Sequence, residues 1–465
     1  MTRTRQYLIL AICCGSLLLV SLDATIVNVA LPSIARELHS SVPSLQWTVD
    51  AYLLVLASLL LLSGSLADRY GRKRLFAIGV AIFTAGSLLC SLAPSDGWLI
   101  GFRMFQAVGG SAMTPVALAI VTNIFVLPAA RAGAIGIWAA VGGVGIAAGP
   151  LLGGLLVDTV GWRSIFWINV PTGVAVVVLT LVMIPESRAG RPRSLDPLGQ
   201  LFAILVLVGI VFVIIELPRA ADMLLLISGA AIIAVGAFVA LLLYERTRAE
   251  PAIPLPLFRE RTFAVAFAVA VLGFLAFSGL LFANTLYLQE VRALPASLAG
   301  LLTLPLAVAT IVAAPASGRL MARVGARVPL LIAGATMVAA ALALIPLTPT
   351  GPVLWLVLPY AVFGIGYGML NAPVNDTAVS DLPDDQAGVA ASLISTAKQV
   401  GSALGVAIVG SIVAANPTDA FAKAFDARSW IVWTIVAAGG AAVLLLALPR
   451  RSTPPLRAQD AVRVN

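Results

Sequence analysis

The chain has 465 residues, of which 60% are hydrophobic and only 11% charged, with a formal net charge of +8. Soluble domains carry about a quarter charged residues, so this composition excludes a water-facing globular protein. The positive balance is read as loop charge on a membrane protein and not as a nucleic-acid footprint.

Apolar runs of roughly 20 residues, the length that crosses a bilayer as helix, recur from Tyr7 onward. They are apolar throughout, where barrel strands would alternate, so the fold class is all-α integral membrane. Fourteen spans are predicted, at 7–31, 46–66, 75–93, 98–125, 132–157, 165–184, 198–216, 223–244, 262–286, 298–320, 328–347, 353–379, 388–414 and 430–448. The first run is too long for a signal peptide and lacks a small-residue cleavage site, so it reads as a retained span. Cys13, Cys14 and Cys90 all fall within spans and read as buried small hydrophobes, with no metal or disulfide spacing. Arginine outnumbers lysine 26 to 3, a composition associated with bacterial genomes of high GC content.

With the N-terminus placed in the cytoplasm, 21 of the 29 basic residues fall in inside segments and six in outside segments. Arg103 and Lys398 remain within spans. A miscounted span would invert the alternation beyond it, so the bias supports fourteen spans with both termini cytoplasmic. Asp381, Asp384 and Asp385 occupy one inside loop, where acidic residues weigh little.

In chain order, the first span carries Leu22-Asp23-Ala-Thr-Ile-Val-Asn28-Val-Ala-Leu-Pro32. A charge inside a span is costly and normally faces a cavity or a partner. Asp23 therefore reads either as a proton-carrying acid or as a structural acid paired with a base. Asp50, near the outer end of span two, either joins Asp23 or is interfacial. After span two comes Gly64-Ser-Leu-Ala-Asp68-Arg69-Tyr-Gly71-Arg72-Lys73, in which Gly71 permits a tight turn. Span four carries Arg103-Met-Phe-Gln106-Ala-Val-Gly109-Gly110. Asp23 lies roughly 13 Å below the outer end of its helix and Arg103 roughly 8 Å, so the two can pair. The alternative for Arg103 is snorkelling to the surface.

Span five holds Gly145-Ile-Ala-Ala-Gly149-Pro150-Leu-Leu-Gly153-Gly154, a small-residue face where another helix can approach closely. Trp162-Arg163-Ser-Ile-Phe166-Trp167-Ile-Asn169-Val-Pro171 leads into span six. In the later spans, Gly318-Arg-Leu-Met-Ala322-Arg-Val-Gly325-Ala-Arg327 repeats the Gly64 loop with its aspartate replaced by alanine. Asn371, Asn375 and Asp376 in span twelve are candidates to line a cavity, with Asn28 and Gln106. Span thirteen contains Lys398-Gln-Val-Gly401. Glu216 and Glu290, at span ends, read as interfacial, and His39 falls in an outer loop. The loop repeat divides the chain into residues 1–184 and 262–448, two six-helix halves. Residues 185–261 hold two extra helices and their linkers, and 449–465 form a polar tail expected to lie in the cytoplasm.

Taken together, these motifs resemble the major facilitator superfamily, specifically its fourteen-span drug:proton antiporter branch. The resemblance covers nearly the whole chain. It implies proton coupling through Asp23 and Arg103, with Asp50 as a possible third member. It implies gating by Asp68, Arg69, Gly71 and Arg72, whose acid–base pair locks the halves together on the cytoplasmic side in one conformation. It also implies that the helix of Gly145, Gly149, Pro150, Gly153 and Gly154 is an antiporter motif, which favours export. The family usually has arginine where Lys398 stands. The expected activity is transport rather than catalysis. The proton is the coupling ion, without a cofactor or metal, and small amphipathic substrates are carried. The expected setting is the lipid bilayer of a bacterial inner membrane, as a monomer. Export or uptake of one dedicated metabolite is the other reading. A polytopic enzyme is disfavoured by short loops and by the lack of a catalytic or phosphate-binding motif.

Overall fold

The computed structural model describes residues 2–188, 196–248, 251, 253–347, 351–380, 382, 384–414 and 421–448. The 449–465 tail, Arg191, Arg193 and Asp381 lie outside the described residues. Helix is the only regular structure among those described. Thirteen helical segments are long and apolar enough to cross a membrane, and the bundle is built from them.

Seven helices form the first group: α1 (Arg3–Leu38), α2 (Val42–Tyr70), α3 (Arg72–Ser91), α4 (Asp96–Ile124), α5 (Pro128–Thr159), the short α6 (Ser164–Trp167) and α7 (Asn169–Met183). Then come α8 (Pro197–Glu216) and α9 (Ala220–Glu245), joined by a three-residue turn. The second group is α10 (Arg261–Leu286), α11 (Ala296–Leu302), α12 (Leu304–Val324), α13 (Arg327–Leu344), α14 (Val357–Val379), α15 (Asp384–Ala414) and α16 (Phe421–Ala447). Packing repeats between the groups. In the first, α1 lies on α5, α4 on both α2 and α3, and α7 on α3. In the second, α10 lies on α15, α14 on both α12 and α13, and α16 on α13. The loop repeat read from the sequence has a geometric counterpart. Gly71 and Gly325 each end a helix with positive φ, at 115° and 80°, a region that side chains with a β-carbon avoid.

The 49-residue segment Pro197–Glu245 is a helical hairpin. The rings of Phe202 and Tyr244 meet at 6.0 Å near its open end, and Gly209 packs on Ala234 in its middle. Helix α8 touches both groups. Gln200 donates to the Ser58 carbonyl of α2, and Ser411 of α15 donates to the Ile214 carbonyl at 2.6 Å. Glu216, expected at an interface, is buried and accepts from Trp47 Nε1 at 3.2 Å.

The two groups meet at one end of the bundle. This end carries Glu37 and Arg163, which form an ion pair there. Gln46 Nε2 of α2 donates to the Ala407 carbonyl of α15 at 2.8 Å, and Gln289 Nε2 to the Val29 carbonyl at 2.9 Å. At this end one hydrophobic core runs through both groups. Toward the other end, which carries Asp68, the second group has its own core around Phe263, Leu370 and Ile394, on which the first group packs through Leu61 of α2. Asn375, Asp376 and Ala391, on α14 and α15, are exposed there. The bundle is thus closed at the Glu37 end and divided at the Asp68 end.

Candidate functional site

A polar cluster lies enclosed within the first group. Asp23 of α1 is fully buried, and Arg103 and Gln106 of α4 lie one turn apart on the face that meets it. Arg103 Nη1 donates to Asp23 Oδ2 at 2.5 Å and to Gln106 Oε1 at 2.7 Å. Gln106 Nε2 in turn donates to Asp23 Oδ1 at 2.9 Å and to Ser87 Oγ of α3 at 2.7 Å. Asn169, at the start of α7, donates Nδ2 to Asp23 Oδ1 at 3.2 Å. Arg103 Nε reaches the Thr48 carbonyl at 3.4 Å, and its guanidinium lies 4.0 Å from the Tyr52 ring centroid. Every charge here has a partner, as a charge out of water requires.

The pairing of Asp23 with Arg103 follows from their matched depth, and Arg103 is buried rather than snorkelling. Three other expectations need correction. Asp50 does not join the cluster. Thr48 and Tyr52 turn toward Arg103, and Asp50, two residues from each, is rotated about 200° from them. It lies on the Gln46 side of α2, fully buried, with no hydrogen-bond partner for either oxygen. Gln106 does not line a cavity, because its amide is consumed by Asp23, Arg103 and Ser87. Asn28 is also buried, donating to its own helix at the Ala24 carbonyl, 3.3 Å away. The Asp68–Arg72 pair, expected to lock the halves in one conformation, stays within the first group in this one. Arg72 Nη2 meets Asp68 Oδ1 at 2.8 Å across the turn at Gly71, and Arg72 Nη1 reaches the Ala119 carbonyl at 3.4 Å. All of these belong to the first group. Arg69 is exposed beside Tyr70.

Ser87, Tyr52 and Asn169 are the cluster members that sequence reasoning did not assign. Only Asn169 carried a signal, as part of the Trp162–Pro171 segment. Cys90, read as a small hydrophobe, is buried as expected and also lies 3.9 Å from Gln106 Oε1.

The glycine face of α5 divides its work. A β-carbon on Gly145 would stand 2.8 Å from that of Ser21, and one on Gly153 would stand 2.8 Å from Ile26 Cγ1. Gly149 lies closer still to Thr25, whose hydroxyl donates to the Ile146 carbonyl at 3.1 Å. These three positions seat α5 on α1. Gly154 faces the Ala296 backbone of α11 instead, and Gly300 of α11 faces the Pro150 carbonyl. That side joins the two groups. Asn371 is half-buried and Asn375 exposed, and both accept from Lys398.

Residues 13–406 match the Major Facilitator Superfamily. The chain belongs to that family. It is a multi-pass membrane transporter, and its relatives are efflux proteins and other transporters. It is 37% identical over 418 residues to the multidrug resistance protein Stp of Mycobacterium tuberculosis, covering 89% of this chain and 77% of that one. The tetracenomycin C resistance and export protein of Streptomyces glaucescens is 37% identical over 415 residues, with 89% and 77% covered. The riboflavin transporter RibZ of Clostridioides difficile is 32% identical over 417 residues, with 89% and 90% covered. Among solved structures, a bacterial homologue of the human lysosomal transporter Spinster shares the fold with a TM-score of 0.69. It is 19% identical, and the match covers 96% of this chain and 98% of that one.

Proposed function

We propose that this protein is a proton-coupled antiporter of the fourteen-span drug-export branch. It moves amphipathic drugs, dyes or antibiotics out across the bacterial cytoplasmic membrane by alternating access. In this reading residues 1–184 and 262–448 are the two moving halves, and α8 and α9 each cross the membrane. Both termini and the Asp68 end are cytoplasmic, so the conformation described above faces inward.

The observation that carries the proposal is the enclosed Asp23–Arg103 pair. An acid buried with a cation can exchange that cation for a proton as its partner. When α1 and α4 shift, Arg103 leaves Asp23 and a proton takes its place, and the reverse movement expels it. Gln106 and Asn169 keep the carboxylate oriented in both states. Asp50, buried at the contact of α2 with α15, is a second acid placed where the halves must part, and is assigned to the same coupling path. Asp68, Arg69, Gly71 and Arg72 are assigned to closing the cytoplasmic side in the opposite state. Moving one charge against the membrane potential costs about 2.3 kcal/mol per 100 mV, which an inward proton offsets.

Two relatives, one exporting tetracenomycin C and one carrying riboflavin, favour a second reading: a dedicated transporter of one compound. Purified protein in liposomes, given an imposed proton gradient and a panel of amphipathic dyes, separates the two. Gradient-dependent movement of several dyes by wild type, lost in Asp23→Asn, supports the first. If no dye moves under any gradient, multidrug export is excluded and single compounds become the substrates to test.

A further inference from the structure

Two cations stand well inside membrane-length helices, Arg103 and Lys398. A charge at the centre of such a helix is costly, so each needs a reason to be there. Arg103 is neutralised by Asp23. Lys398 of α15 is held differently. Its Nζ donates to Asn371 Oδ1 at 3.2 Å and Asn375 Oδ1 at 3.0 Å, both on α14, and lies 5.5 Å from the ring centroid of Phe274 on α10. Among the described residues no carboxylate is within ion-pair distance of it. Asp376, the neighbour of Asn375, is exposed and forms no ion pair with it.

Neutral amides fix an ammonium without cancelling its charge. A brace between α14 and α15 would be stronger with an aspartate at position 371 or 375, because an opposite charge adds Coulombic attraction and neutralises the ammonium. The arrangement instead keeps a positive centre in place with one N–H still to give. Lys398 is half-buried and Asn375 exposed, on the divided side of the bundle. Beside them the ring of Phe274 is half-buried, backed by the buried rings of Tyr367 and Phe277. Phe274 meets the edge of Tyr367 at 5.4 Å, and Tyr367 stacks on Phe277 at 3.8 Å with the rings 7° from parallel. A fixed cation next to flat aromatic surface is complementary to a molecule with the same two features in opposite charge.

We propose that Lys398, oriented by Asn371 and Asn375 beside Phe274, is the binding subsite for an anionic oxygen, carboxylate or phenolate, on a flat aromatic substrate. The assignment rests on the transport reading of the opening and names the substrate class for its second half. It excludes a cationic group from this position.

Equilibrium binding to purified protein tests it without a gradient. Fluorescein and rhodamine 6G share a xanthene skeleton and carry opposite charge at pH 7. Lys398→Gln should weaken fluorescein binding at least tenfold and leave rhodamine 6G binding unchanged or tighter, while Lys398→Arg stays within about threefold of wild type. A second measurement needs no variant. Acetic anhydride labelling of wild type, read by peptide mass, should show fluorescein protecting Lys398 and not Lys73. Equal fluorescein binding by wild type and Lys398→Gln overturns the proposal, and so does absence of protection. A protein that binds fluorescein through Lys398 yet moves no dye in vesicles refutes export and keeps the subsite. Export of rhodamine 6G without Lys398-dependent fluorescein binding does the reverse.

Discussion

Asp158, at the end of α5, accepts the backbone amide of Ser297 at 2.7 Å through Oδ2 and that of Ala296 at 3.2 Å through Oδ1. A carboxylate of the first helix group thus caps the first turn of α11 in the second. Both bonds are charge-assisted, and both cross the boundary that opens in the proposed alternating-access cycle. Removing them should release the closed Glu37 end. Asp158→Ala should shift the balance toward the open state several-fold, since bonds to charged groups contribute about 1.5–3 kcal/mol each and partial exposure lowers that. Nitroxide labels on the exposed Val160 and Leu298 would report it as growth of a longer-distance population. An unchanged distance distribution would show that the cap carries no gating energy.

Stability and coupling should separate at Asp23. Breaking a buried ion pair from one side costs about 3–5 kcal/mol, because the remaining charge is left without a partner. Asp23→Ala should therefore melt well below wild type. The double variant Asp23→Asn with Arg103→Gln should recover much of the loss, since two neutral amides can bond where two charges did. Gradient-driven transport should stay absent in both. The three cysteines are free and buried, so a thiol-reactive dye reads unfolding directly. Recovery of transport in the double variant would remove the pair from the coupling path.

Much of this site was legible in the chain. The costs of charge in lipid singled out Asp23 and Arg103, and the helical rise placed them at compatible depth. What spacing does not encode is the direction each helix face takes in the bundle. Gln106 is one turn from Arg103, so the two share a face, yet that face turns inward to Ser87 and Asn169 rather than to an opening. For Asp50, position along the helix leaves open a place beside Asp23 or at the interface, and rotation about α2 excludes the first. Likewise the Asp68–Arg72 pair was readable as a contact, while its confinement to one helix group depends on which end of the bundle is closed. The 198–216 and 223–244 spans were found by hydropathy. The contacts of α8 with α2 and α15 include polar side chains, Gln200, Glu216 and Ser411, whose partners no periodicity marks.

The two repeat turns should differ in tolerance. Gly71 and Gly325 hold positive φ, and a residue with a β-carbon there costs about 1–3 kcal/mol. At Gly325 nothing stands within 4 Å of a β-carbon, so Gly325→Ala should show only that backbone cost. At Gly71 the β-carbon would fall 2.6 Å from Glu186 Oε1, which accepts from the Lys73 amide at 3.1 Å. Gly71→Ala should therefore lose more thermal stability than Gly325→Ala. Equal losses would mean that Glu186 moves aside freely.

The glycine motif of α5 offers the sharpest contrast, because its members face different partners. A valine at Gly149 would press on Thr25 within the first group, where overpacking a close helix contact costs about 1–3 kcal/mol. A valine at Gly154 would press on the Ala296 backbone, which belongs to the second group and can withdraw as a body. Gly149→Val should thus lower thermal stability without favouring either conformation. Gly154→Val should keep stability near wild type and widen the Val160–Leu298 distance. If the motif were uniform helix packing, both variants would melt early and neither would move that distance. Opposite behaviour at two glycines five residues apart would show that one face of α5 holds a half together and the other is the surface on which the halves part.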